Sequence, residues 1–211
     1  DAFLSGGALQ QWDVQYVIAS YKQKYFDLDP RQVSEYFPVE RTIQGVLAIY
    51  EQFMGVSFEY QSSVEGAWDQ SIRGISVYTK DRAQLLGHVL LDLFPRLHKY
   101  SHASCYGFIP RARVVSANGM EYQTPYVCLL ITNFPKPQPD NPGLLLHSQV
   151  ITLFHEFGHA MHGMLACPAH LKTAGINVKL DFIELPSQVL ELWMWDADML
   201  RLVSSHYKTG Q

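Results

Sequence analysis

Apolar side chains along the first fifty-five residues recur at helical spacing. In "QWDVQYVIASYKQKYF" they fall at Trp12, Tyr16, Ile18 or Ala19 and Tyr25 or Phe26, close to a 3.6-residue period. "LDPRQVSEYF" restarts the pattern with Asp29 as a helix cap and Pro30 in the first turn, and "VERTIQGVLAIYEQFMG" closes on Gly55, a residue suited to ending a helix. Three helices are therefore expected in this part. From Val56 to Thr132 the pattern changes to short β-branched and aromatic runs, "VSFEY", "ISVYT", "HVLLDLF", "ARVVSA" and "YVCLLIT". Turn signals such as Asn118-Gly119 divide them, and the combination predicts a small sheet. The connection "NFPKPQPDNPG" holds four prolines and fits neither a central strand nor a helix interior. Beyond it, Asn141 followed by Pro142 reads as a cap and first turn, opening a long helix that runs to about Ala166, with Pro168 ending it. A further helical pattern covers Asp181 to Val203. The sum is an α+β fold, mainly helical, in one unit over 1–211: helices in 1–55, a small sheet in 56–132, and two chemically loaded helices in 133–211.

The first of those late helices carries a polar seam. Ser148, Thr152, His155, His159 and His162 are spaced 4, 3, 4 and 3, which sets them along one face, while the other faces are nearly all apolar. A helix apolar on most sides is buried, and imidazoles buried without partners are costly, so the seam must meet polar groups or a metal. His155-Glu156-Phe157-Gly158-His159 is H-E-x-x-H. Its two imidazoles stand one turn apart and can close on one Zn²⁺ at about 2.0–2.1 Å each. Glu156 points roughly 100° round the helix. From there it can reach a water at the metal without being a ligand, the position a general base needs.

His162 shares the face but lies roughly 10 Å from His155 along the axis, too far to bind the same ion, and a hydrogen-bonded wall residue is its expected role. A third ligand must come from elsewhere. Downstream carboxylates are Asp181, Glu184, Glu191, Asp196 and Asp198. Glu184 sits in "DFIELPSQ" among apolar neighbours and before Pro186, which points to a fixed, partly buried turn. Spacing alone ranks Glu184 and Glu191 nearly equally.

Composition narrows the class. With 211 residues, 47% of them hydrophobic, the chain can bury a core, and a net charge of -4 gives no basic face for nucleic acid or an anionic membrane. No apolar run approaches the roughly 18 residues of a membrane span. Cys105, Cys128 and Cys167 are odd in number and lack C-x-x-C spacing, so neither a disulfide framework nor a thiolate zinc site is expected. A reducing compartment follows, the cytoplasm first and the mitochondrion as the alternative. "DAFLSGGALQQWD" lacks the basic start and apolar centre of a signal peptide, and the chain reads as part of something longer.

"FHEFGHAMH", followed 29 residues on (His155 to Glu184) by "DFIELPSQVLELW", resembles the thimet oligopeptidase family of zinc peptidases. "WDVQYV", "EYFPVE", "GVLAIYEQFMGVSF", "LLDLFPRLHKYSHASCYGF", "NFPKP" and "LLLHSQVITLFHEFGHAMH" look like that family in the same order, over nearly the whole chain. The resemblance implies a zincin-like catalytic core with one Zn²⁺ per chain, held by His155, His159 and Glu184, with Glu156 as catalytic base. It makes Asp181 and Glu191 candidates for orienting the imidazoles, and it implies short oligopeptides as substrates; the substrate-binding residues stay unassigned. Trp68 is followed by Asp69 where the family usually has a Trp-His pair. The family's upstream helical region and its later Gly-Tyr-rich loop have no counterpart here, so further N- and C-terminal parts of a parent chain are expected to complete the substrate channel. The rival reading is a catalytically incomplete zinc-binding fragment or a non-catalytic peptide-binding relative. A silent relative is expected to lose Glu156 first, and Glu156 is present.

Overall fold

A computed structural model describes residues 9–168 and 171–211. Its helices are α1 (Val14–Phe26), α2 (Pro30–Ser34), α3 (Val39–Met54), α4 (His147–Leu165), α5 (Leu180–Glu191) and α6 (Ala197–Val203). The strands are β1 (Val56–Gln61), β2 (Arg73–Thr79), β3 (Leu85–Asp92), β4 (Ser104–Ile109), β5 (Arg113–Val115), β6 (Glu121–Gln123) and β7 (Tyr126–Ile131). The three early helices, the β-rich middle and the late helices all stand in the expected order. Asp29 caps α2 by accepting from the Arg31 amide, and Gly55 ends α3 in the left-handed region.

Five strands form one mixed sheet in the order β1-β2-β3-β7-β4, in which β3 and β7 run parallel and every other pair antiparallel. The run "ARVVSA" does not join it. Arg113–Val115 pairs instead with Glu121–Gln123 as a separate two-stranded hairpin turning at Asn118-Gly119. Side chains alternate across the large sheet, so Ile75, Val77, Val89, Leu91, Cys128 and Leu130 are buried on the face that α3 and α4 cover. Helix α4 lies against β3, β7 and β4.

The end of β3 is tied down by charge. Asp92 is buried and takes both guanidinium nitrogens of Arg96 at 2.6 and 2.8 Å, with Lys99 Nζ at 2.9 Å. Lys99 also donates to the carbonyls of Asp92, Phe94 and Thr132 at 2.8, 2.7 and 2.6 Å, which locks the turn after β3 to the end of β7. Burial pushes the Asp92 carboxyl up, but the bonds from Arg96 and Lys99 prevail and hold it below its ordinary range.

The long helix opens later than its cap signal implies. Residues 142–146 are not helical: Gly143 takes a positive φ of 72° and its carbonyl accepts the Val39 amide at 2.9 Å. The Leu145 amide then donates to Phe37 at 2.9 Å, and Leu144 bridges to Pro38. Asn141 does act as a cap, but of a turn, accepting from the Gly143 amide at 2.9 Å. Helix α4 therefore starts at His147, and Ala166 closes it with a bond back to His162.

Candidate metal centre

Helix α4 is held on its apolar sides by aromatic side chains. The Tyr50 hydroxyl donates to the Phe154 carbonyl at 3.1 Å, and the Tyr50 ring meets Phe154 and Phe157. With those sides enclosed, the His155–His159 side is the one that α5 crosses. Two small contacts set how closely. A Cβ on Gly158 would lie 2.9 Å from the Ser187 Cα and 3.2 Å from Leu190, so only glycine lets the two helices approach this far. Pro186 stands inside α5 without ending it; the helix continues to Glu191.

The approach brings one carboxylate between two imidazoles. His155 Nε2 and His159 Nε2 are 3.1 Å apart, and Glu184 Oε2 is 3.2 Å from each. Three ligand atoms at tetrahedral corners around an ion, each at 2.0–2.1 Å, would be spaced by roughly 3.3 Å, so the triangle already has the size that a zinc ion requires. These are the residues whose ligand atoms converge as a His/Cys/Asp/Glu group able to hold a metal, among the described residues. The donors also have suitable chemistry. His155 Nδ1 lies 2.5 Å from Glu191 Oε1, and in the tautomer that donates from Nδ1 to this carboxylate the Nε2 lone pair faces Glu184 and His159. Burial pushes the His159 imidazole below its ordinary range against the pull of Glu184, which favours the neutral form that ligates metals.

Glu156 is buried, and burial pushes its carboxyl up to about 6; His155 lowers it and Glu184 raises it. The same carboxylate thus senses both the His155 imidazole and the Glu184 carboxylate.

The other predicted residues divide. Glu191 meets His155, two turns along α5 from Glu184. Asp181 is exposed at the start of α5, lining an open hollow with Thr173, Asn177 and Phe182, and no hydrogen bond joins it to either imidazole among the described residues. His162 packs edge-on to Phe182 with ring centres 6.2 Å apart, and its Nδ1 is buried with no hydrogen-bond partner among the described residues. It stands beside the triangle, not in it, and the hydrogen bond expected of a wall residue is absent at Nδ1. Sequence reasoning missed Ser187, whose hydroxyl contacts Glu184 Oε2 at 3.0 Å. Its position three residues after Glu184, one helical turn, was the available signal.

Residues 3–211 match the model of peptidase family M3. The chain belongs to peptidase family M3. It is 41% identical over 185 residues to a thimet-like oligopeptidase of Dictyostelium discoideum, covering 87% of this chain and 27% of that protein. It is 35% identical to saccharolysin of Saccharomyces cerevisiae, over 95% of this chain and 28% of the relative. Oligopeptidase A of Salmonella typhimurium is 34% identical over 96% of this chain and 29% of its own length. The chain thus spans less than a third of the curated relatives it matches. Cys105, Cys128 and Cys167 are free, and among the described residues no helix is long and apolar enough to cross a membrane.

Proposed function

We propose that this chain is the catalytic centre of a zinc-dependent oligopeptidase, with His155, His159 and Glu184 as ligands of one Zn²⁺ and Glu156 as general base. The observation that carries the reading is the triangle of His155 Nε2, His159 Nε2 and Glu184 Oε2, with sides of 3.1, 3.2 and 3.2 Å. When bound, zinc supplies Lewis acidity to water and to the scissile carbonyl. Glu156 takes the proton that the attacking water sheds and hands it to the departing amine, work suited to a carboxyl raised to about 6. Glu191 holds the proton on His155 Nδ1, keeping the opposite nitrogen available to metal. Short peptides are the substrates. Strand β4 lies at the sheet edge beside α4, and an extended peptide can add there as a further strand, binding through its backbone with little sequence demand. The parts of a longer parent chain would complete the channel around this centre, in the cytoplasm or the mitochondrion.

Cleavage of a quenched fluorescent peptide by the intact protein tests this. A chelator should abolish turnover and added zinc restore it. Glu156→Gln should lower kcat by about 10²–10⁴ while leaving bound zinc unchanged. Full activity in Glu156→Gln would overturn the base assignment. Zinc bound with no cleavage of any peptide would leave the non-catalytic relative.

A further inference from the structure

The Glu184 carboxylate has a partner outside the H-E-x-x-H helix. Ser187 is fully buried one turn further along α5, with its hydroxyl 2.9 Å from the Glu184 carbonyl oxygen and 3.0 Å from Glu184 Oε2. That Oε2 is the oxygen standing 3.2 Å from both imidazole nitrogens. The Glu184 side chain is itself 46% exposed. A glutamate so open to water has three torsions free to wander, and freezing them in one arrangement costs entropy. The Ser187 hydroxyl has no such freedom. Shut away from solvent, it has a single proton and two acceptors within reach, both belonging to Glu184.

We propose that Ser187 is a positioning residue for the metal centre: its hydroxyl fixes the Glu184 carboxylate so that Oε2 faces His155 and His159 before any ion arrives. The inference rests on the reading of those three residues as zinc ligands. Each arm of the triangle is then held differently. Glu191 orients His155, Ser187 orients Glu184, and His159 has a buried Nδ1 with no partner among the described residues. Gly158 makes the arrangement possible, since a side chain there would strike the Ser187 backbone and push α5, with both Ser187 and Glu184, away from the histidines. An oxygen that donates a lone pair to a cation can still accept a hydrogen bond through another, so the contact survives metal binding.

The test is zinc affinity, measured on the intact protein by competition with a fluorescent chelator. Ser187→Ala should weaken zinc by about 10–100-fold, the usual effect of removing a partner that orients a ligand. The zinc-free variant should unfold at the wild-type temperature, which separates positioning from a merely structural role. Ser187→Cys fills the same space with a much weaker donor and should lose affinity in the same direction. Wild-type zinc affinity in either folded variant would overturn the proposal. Glu184→Ala keeps the two readings apart. If it weakens zinc and Ser187→Ala does not, only the positioning role falls; if Glu184→Ala binds zinc as well as wild type, the ligand assignment falls too.

Discussion

Helices α4 and α1 both show apolar residues at helical spacing, yet α4 buries eleven of its nineteen residues and α1 none of its thirteen. In α1, Tyr21, Tyr25 and Phe26 are all more than half exposed, and the two tyrosines stack on each other at 4.5 Å. In α4 the same kind of pattern is closed on one side by β3, β7 and β4 and on the other by α5. Periodicity therefore reports that a segment is helical and has a face made for contact. What meets that face decides whether its polar residues can do chemistry. Imidazoles on α1 would be ordinary solvated side chains; on α4 they are forced toward one carboxylate.

The sharpest way to probe this difference is to cut into the frame that holds α4. Asp92→Ala would leave the buried Lys99 ammonium without its carboxylate, and a cost of about 3–5 kcal/mol is expected in urea unfolding. The wild-type pair also predicts a pH response. Because the folded Asp92 carboxyl is held below its ordinary range, its stabilisation is present above that range and is lost as pH falls through the folded value. Thermal midpoints taken downward from neutrality should fall, and Asp92→Ala should flatten that dependence. Next in size is Gly158→Val, which overpacks the contact with Ser187 and should cost about 1–3 kcal/mol while stripping zinc affinity. Unchanged zinc affinity would mean that the closeness of α4 and α5 does not set the site. Glu191→Ala should leave the fold intact and weaken zinc by about 10–100-fold, read by equilibrium dialysis. Smallest of all, Tyr21→Ser on α1 should change unfolding free energy by less than about 0.5 kcal/mol, and a loss of several would break the comparison.

Much of this architecture is legible in the chain itself. The helix–sheet–helix order, the Asp29 cap, the Gly55 stop and the H-E-x-x-H seam are local, and local signals survive into the fold. Choosing between Glu184 and Glu191 by spacing failed for a physical reason: they lie two turns apart on α5, and both reach His155, one at each ring nitrogen. Only the crossing geometry separates a carboxylate shared by two imidazoles from one that backs a single ring. The start of α4 departs from its cap signal because Asn141 serves a turn, and residues near position 38 claim the next segment. "ARVVSA" has strand composition, but composition does not say which sheet it joins. Gly158 matters only through the other helix, which no local pattern reports, and Ser187 matters through Glu184 one turn back on its own helix, a spacing that many buried serines share without consequence.

The bridge between Pro38 and Leu144 joins positions more than a hundred apart, and α4 begins just beyond it. A helical turn can form in isolation within microseconds or less, whereas closing so long a loop carries a larger entropy cost and is slower. His155 and Glu184 lie only 29 residues apart, both beyond that bridge, so their meeting is a short-range closure within the late part of the chain. The site thus rests on two closures of different reach: a short one between α4 and α5, and a long one that seats α4 on the rest of the fold.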